Sequence, residues 1–159
     1  MSTSTCPAVP LVTHHPYFSV WSPTDELHGS ETVHWTGTTN SMLGFVSIDG
    51  TRYRFAGCDP SAGAELPVIE QTDLDVRPTT SEYTFEADGV ELVVSFTSPL
   101  LLADLEVLSR SVVPLSHGSS RTFRTTSRHS PSSFVEHVCE PTCGRPLGPV
   151  CYHTSPITE

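Results

Sequence analysis

Glu82–Phe96 reads EYTFEADGVELVVSF, and this stretch decides the fold. Asp88-Gly89 sits between two runs that alternate apolar and polar residues, and Asp-Gly supplies the positive φ of a two-residue hairpin loop at low steric cost. Folding there pairs Tyr83 with Val94 and Phe85 with Leu92 on one face. Glu82, Glu86, Glu91 and Ser95 share the other, which must be solvated. Glu86 opposite Glu91 is a small like-charge cost. The register is still specified, because a slip of one residue would bury the acids.

Working outward, Leu43–Gly57 (LGFVSIDGTRYRFAG) repeats the device. Its Asp49-Gly50 loop pairs Val46 with Tyr53 and sets Gly44, Val46, Ile48, Tyr53 and Phe55 on one side. Ser47, Arg52 and Arg54 take the other, with Phe45 the exception. Two half-apolar ribbons need a facing layer, so the expected class is an all-β, antiparallel β-sandwich. Further strands are expected at Tyr17–Trp21, Thr72–Arg77 and Leu105–Val113. Leu66–Glu70 is ambiguous, and Leu100–Leu108 also has the spacing of a short helix.

The pattern stops near Arg110. Residues 1–109 hold fifteen acids against Arg52, Arg54 and Arg77, a net charge of −12; residues 110–159 hold five arginines against three acids, a net of +2. Ser, Thr, Pro, Arg, His and Cys dominate that second part, and its prolines break regular elements. The sequence therefore divides into a patterned part, residues 7–113, and an unpatterned tail, residues 114–159, expected to be disordered. The sandwich is expected to be incomplete.

The net charge of −10 opposes nucleic acid and anionic membranes as partners, since both need a positive field. Lysine is absent, which excludes Schiff-base and P-loop lysine chemistry. No apolar run approaches the roughly 20 residues of a membrane span. The opening MSTSTCPAVPLV lacks the basic and apolar regions of a signal peptide, so a cytoplasmic location is the default expectation. Five cysteines at irregular spacing match no disulfide framework, and free thiols are expected.

Three constellations are candidates for chemistry. Tyr17, Trp21 and Trp35 are the candidate ligand-binding residues, as a platform on which a sugar or planar ligand stacks, or else as filling at the edge of the core. His28, Glu31 and His34, with His14 and His15 upstream, have zinc-ligand chemistry, but nothing in their spacing forces a tetrahedral set. The same holds for His137, Cys139, Cys143, Cys151 and His153 in the tail. No metal site and no cofactor are expected. Carboxylate pairs such as Asp25/Glu26 and Asp73/Asp75 have the chemistry of acid and base, but no catalytic signature accompanies them, so the catalytic residues are unassigned.

PAVPLVTHHPYFSVWSP (residues 7–23), HWTG (34–37), Gly-x-x-x-Ile-Asp-Gly-x-x-Tyr-Arg-Phe-x-Gly (44–57) and EYTFEADGVELVVSFTSPLL followed by ADLEVLSR (82–110) resemble, in that order, the start of the glutaminase A family. The resemblance covers about residues 7–113. It implies the N-terminal β-sandwich region of a hydrolase that converts L-glutamine to L-glutamate and ammonia. Its partner would be a C-terminal helical catalytic domain of (α/α)-toroid form. Such enzymes are often secreted by fungi and bacteria, so the resemblance implies an extracellular location. The family usually has Asp where His15 stands and Arg where Val33 stands. Past Val113 the likeness ends, as a shifted reading frame or alternative splice would cause; transcript sequencing through Val112 to the stop tests this. The expected function is a truncated, non-catalytic module of a glutaminase A-like amidohydrolase. The alternatives are a carbohydrate- or ligand-binding module using exposed aromatics and a small self-contained amidohydrolase.

Overall fold

Both Asp-Gly turns form as the residue order demands. The computed structural model describes residues 6–58, 66–98, 100, 102–109, 115–121, 134–135 and 155–156. In it Asp88 and Gly89 have φ of 50° and 72°, and Asp49 and Gly50 have 49° and 85°, the positive pair that a type I′ loop requires. The elements in chain order are β1 (Val9–His15), β2 (Phe18–Ser22), β3 (Gly44–Ile48), β4 (Thr51–Ala56), β5 (Glu70–Arg77), β6 (Thr80–Ala87), β7 (Val90–Thr97), α1 (Leu105–Leu108), β8 (Leu115–Arg121), β9 (Phe134–Val135) and β10 (Ser155–Pro156). The chain is all-β with one helical turn, and the strand pairings are antiparallel.

The largest sheet runs β5-β6-β7-β8; a second runs β10-β9-β3-β4, and β1-β2 forms a two-stranded ribbon. Tyr83 pairs with Val94, Phe85 with Leu92 and Glu86 with Glu91, the register read from the turn. The inner face of β6 and β7 carries Tyr83, Phe85, Val90, Leu92, Val94 and Phe96, all buried. Val9, Leu11 and Val20 of the ribbon, Val46, Ile48 and Phe55 of the second sheet, and Leu27 and Ile69 complete one core. Phe55 meets Phe85 at 5.7 Å between ring centroids. Burying each such side chain contributes about 1.5–3 kcal/mol.

The second hairpin pairs Val46 with Tyr53 as expected, then shifts register between Gly44 and Phe45. A Cβ on Gly44 would run into the Phe55 ring, so only glycine seats that aromatic. Phe45 breaks the alternation and is buried, with the Arg52 guanidinium 4.5 Å from its ring centre.

Arg54 corrects the expectation that it shares a solvated side with Arg52. It is buried, because the ambiguous Leu66–Glu70 segment comes alongside β4. Arg54 N–H donates to the Pro67 carbonyl (2.9 Å), and Ile69 N–H donates to the Arg54 carbonyl (3.1 Å). Its Nη1 donates to the Gly57 carbonyl.

Other boundaries moved. The strand expected from Tyr17 begins at Phe18, with Tyr17 in the turn. Of the two readings of the Leu100–Val113 region, the helical turn forms at Leu105–Leu108, and residues 110–114 lie outside those described. Leu115–Arg121 is a strand that the sequence did not announce; it pairs with β7 from Val90↔Arg121 to Phe96↔Leu115. The disorder expected of residues 114–159 falls mostly on residues outside those described; within that range Leu115–Arg121 is the strand β8. Among the described residues no helix is long and apolar enough to cross a membrane.

Candidate functional site

The outer face of the largest sheet aligns Asp73 with Thr84, Asp75 with Glu82, and Glu70 with Glu86 and Glu91. Arg77 binds Asp75 through Nε (2.7 Å) and Nη2 (2.6 Å). Ser95 Oγ donates to Glu82 (2.8 Å) and Ser120 Oγ to Glu91 (3.2 Å). This is a solvated strand face.

The tip of the β1–β2 hairpin differs. Its loop is Pro16-Tyr17, and a second turn, His34–Thr38, folds against it. Trp21 and Val33 exchange backbone bonds of 2.8 and 2.9 Å, which fix the second turn to β2. Gly37, at φ 84°, lets that turn close with its N–H on the His34 carbonyl (2.8 Å), while His34 N–H reaches the Thr38 carbonyl (2.8 Å). The Pro16 carbonyl accepts twice, from Trp35 Nε1 (2.6 Å) and from His34 Nε2 (2.9 Å). A carbonyl only accepts, so His34 carries a proton on Nε2. Its Nδ1 accepts from Thr36 N–H (3.3 Å) and lies 2.9 Å from Thr36 Oγ1. Tyr17 N–H donates to His15 Nδ1 (3.1 Å).

The result is a knuckle that shows rings to solvent. Tyr17 is 92% exposed and Trp35 62%, values normal for a loop lysine and unusual for a fixed indole. Trp35 packs against His34 at 5.6 Å, and Tyr17 against His15 at 6.3 Å, between ring centroids. Trp21 does not join them. It is half-buried on β2 with its indole N–H covered and without a partner. Among the described residues no ring contact links Tyr17, Trp21 and Trp35 to one another.

The structure separates the histidine-carboxylate set. His28 Nε2 faces Glu26 at 3.7 Å; burial, and then the nearby Arg54 charge, outweigh Glu26 and hold His28 below its ordinary value. Glu31 accepts from Ser41 Oγ (3.1 Å) and Thr39 Oγ1 (3.5 Å), and His34 is engaged in the knuckle. Among the described residues no group of three or more His, Cys, Asp or Glu is placed to hold a metal ion. Cys6 and Cys58 are free. The cluster His137, Cys139, Cys143, Cys151 and His153 lies outside the described residues.

Sequence reasoning missed the double acceptor at Pro16, because it joins residues eighteen and nineteen positions apart through a turn not yet placed. It also missed three exposed leucines beyond β7, Leu100, Leu102 and Leu105. Their helical spacing was visible, but their lack of cover was not.

Residues 2–66, which include the whole knuckle, match a domain of unknown function, DUF4964. The chain is 32% identical over 107 residues to glutaminase A of Aspergillus oryzae. That similarity takes in 62% of this chain and only 15% of the fungal protein, within an N-terminal segment of it. No solved structure matches.

Proposed function

We propose that residues 7–113 are the N-terminal, non-catalytic module of a glutaminase A-like amidohydrolase, whose parent reaction is L-glutamine plus water to L-glutamate plus ammonia. One observation carries the reading: the similarity to the fungal glutaminase A is confined to 15% of that protein. Amide hydrolysis needs a nucleophile or activated water with a base in hydrogen-bond reach. Several carboxylates instead hold strands and turns, as Asp75 with Arg77, Glu31 with Ser41, and Asp88 with the Tyr53 hydroxyl (2.6 Å) do. The test is ammonia release by the purified full chain with L-glutamine. No release above buffer is the expected result. Turnover that disappears in Asp25→Asn or Glu31→Gln would defeat the reading.

A second reading, a carbohydrate- or ligand-binding module, draws support from the exposure of Tyr17 and Trp35. Trp21, the third ring of that candidate set, is half-buried on β2. Calorimetric titration with soluble oligosaccharides separates the two: heat that vanishes in Trp35→Ala favours the second.

A further inference from the structure

The loop that follows β2, residues 23–30, is held to the core through Leu27, which is fully buried. Leu27 N–H donates to the Gln71 side-chain oxygen (2.9 Å), and Gln71 Nε2 donates back to the Asp25 carbonyl (2.9 Å). Gly57 N–H donates to the Leu27 carbonyl (3.0 Å). Within the loop, Gly29 N–H (3.0 Å) and Thr24 Oγ1 (2.8 Å) both donate to the Glu26 carbonyl. Glu26–Gly29 is therefore a closed turn with Leu27 and His28 at its centre. A Cβ on Gly29 would lie 3.2 Å from the Glu26 carbonyl oxygen and 3.3 Å from Thr24 Oγ1, so the turn has little slack.

His28 sits in this turn against a buried positive charge. Arg54 of β4 is buried, and its Nη1 donates to the carbonyl of Gly57, the residue whose N–H holds Leu27. Its charge reaches His28. Nδ1 of His28 and Nε of Arg54 are both buried without a hydrogen-bond partner. His28 Nε2 faces the Glu26 carboxylate at 3.7 Å, so the proton of the neutral ring sits on Nε2, and Nδ1 is the nitrogen left to protonate. A proton there would be a donor without an acceptor and a second positive charge beside a buried guanidinium. Glu26 gives a protonated ring a direction in which to leave, since its side chain is 70% exposed against 17% for His28. The other described groups around the loop are Asp25, whose charge reaches Tyr83 of β6, the neutral Gln71 of β5, and the half-buried free thiol of Cys58 after Gly57.

We propose that the Glu26–Gly29 turn is an acid-released latch: protonation of His28 at Nδ1 drives the ring away from Arg54 toward Glu26 and solvent, and the closed turn carries Leu27 out of the core with it. The bonds from Leu27 to Gln71 and Gly57 break, and the sheets stay paired. Release is local because these ties run to one side chain and to one residue past β4, not to a strand ladder. In the released turn His28 is an ordinary solvated imidazole, whereas the closed turn holds it below 6.5. Opening is therefore suppressed above that pH and grows as pH falls beneath it, by up to about tenfold per pH unit.

The test is amide hydrogen exchange of the full chain, followed by NMR from about pH 5 to pH 8, the span in which histidine ordinarily titrates. Each rate is divided by the intrinsic exchange rate at its pH. The Leu27 and Gly57 amides should lose protection below pH 6.5, by up to about tenfold per pH unit, while the amides of the β6–β7 ladder keep theirs. His28→Gln should abolish the loss, and Glu26→Gln should move it to lower pH. Unchanged protection at Leu27 and Gly57 while the His28 ring titrates overturns the inference, since the ring then turns alone. A loss shared by the β6–β7 ladder overturns it in favour of global unfolding. A loss that persists in His28→Gln, or one that Glu26→Gln leaves at the same pH, overturns it as well. Should His28→Gln fail to fold, the unaltered chain and Glu26→Gln decide the matter.

Discussion

Tyr83 is fully buried, and its hydroxyl, though close to Ser22, makes no hydrogen bond of good geometry. Burial raises its ionisation well above the ordinary tyrosine value. A buried hydroxyl with no partner forfeits its hydration, so Tyr83→Phe should stabilise the fold, by up to about 1 kcal/mol, in urea unfolding monitored by circular dichroism. His28 gives a pH dependence. Its folded value lies below the ordinary 6.5, first because of burial and then because of Arg54. The unfolded chain therefore takes up the proton first, and stability present above pH 6.5 falls as pH drops through the window just below it. In His28→Gln that part of the acid limb should flatten, which unfolding midpoints across a pH series would show. At this scale the sequence was partly legible. Tyr83 and Phe85 declared themselves by alternation, whereas Arg54 looked solvated beside Arg52 until a segment twelve and more residues later covered it.

Strand pairing was the most legible level, because each Asp-Gly loop fixes both the turn and the face that follows from it. The loops carry positive φ at both positions, and Gly89→Ala should cost about 1 kcal/mol or more for that reason. The Tyr53 hydroxyl, donating to Asp88, ties one hairpin to the turn of the other. Glu86 stands between Glu70 and Glu91 in adjacent strands. Reversing its charge converts two repulsions to attractions, so Glu86→Lys should stabilise by roughly 0.5–1 kcal/mol, a gain that thermal melts in high salt should erase. Leu115–Arg121 was not legible, since Leu-Ser-His-Gly-Ser-Ser-Arg has no apolar alternation of its own. The β7 ladder imposes that strand. The knuckle was legible as a list of aromatics and illegible as an arrangement, because the sequence does not say which ring turns inward.

On the scale of the whole molecule, an open sheet has edges, and β5 is one of them. Its exposed Glu70, Asp73 and Asp75 put charge where a foreign strand would otherwise pair. Asp73→Asn with Asp75→Asn should therefore raise light scattering on incubation at neutral pH, while far-ultraviolet dichroism stays unchanged; a pair of variants that remains as clear as the parent would count against edge protection. The pinned indole at the hairpin tip has a further use. The chain has two tryptophans, one at the surface and tethered to Pro16, the other half-covered on β2. Their emissions should separate under a neutral quencher such as acrylamide, which reaches Trp35 and spares Trp21. The protein thus carries its own optical gauge, in which the red-shifted component reports whether the knuckle is covered and the blue-shifted one whether the sandwich behind it is intact.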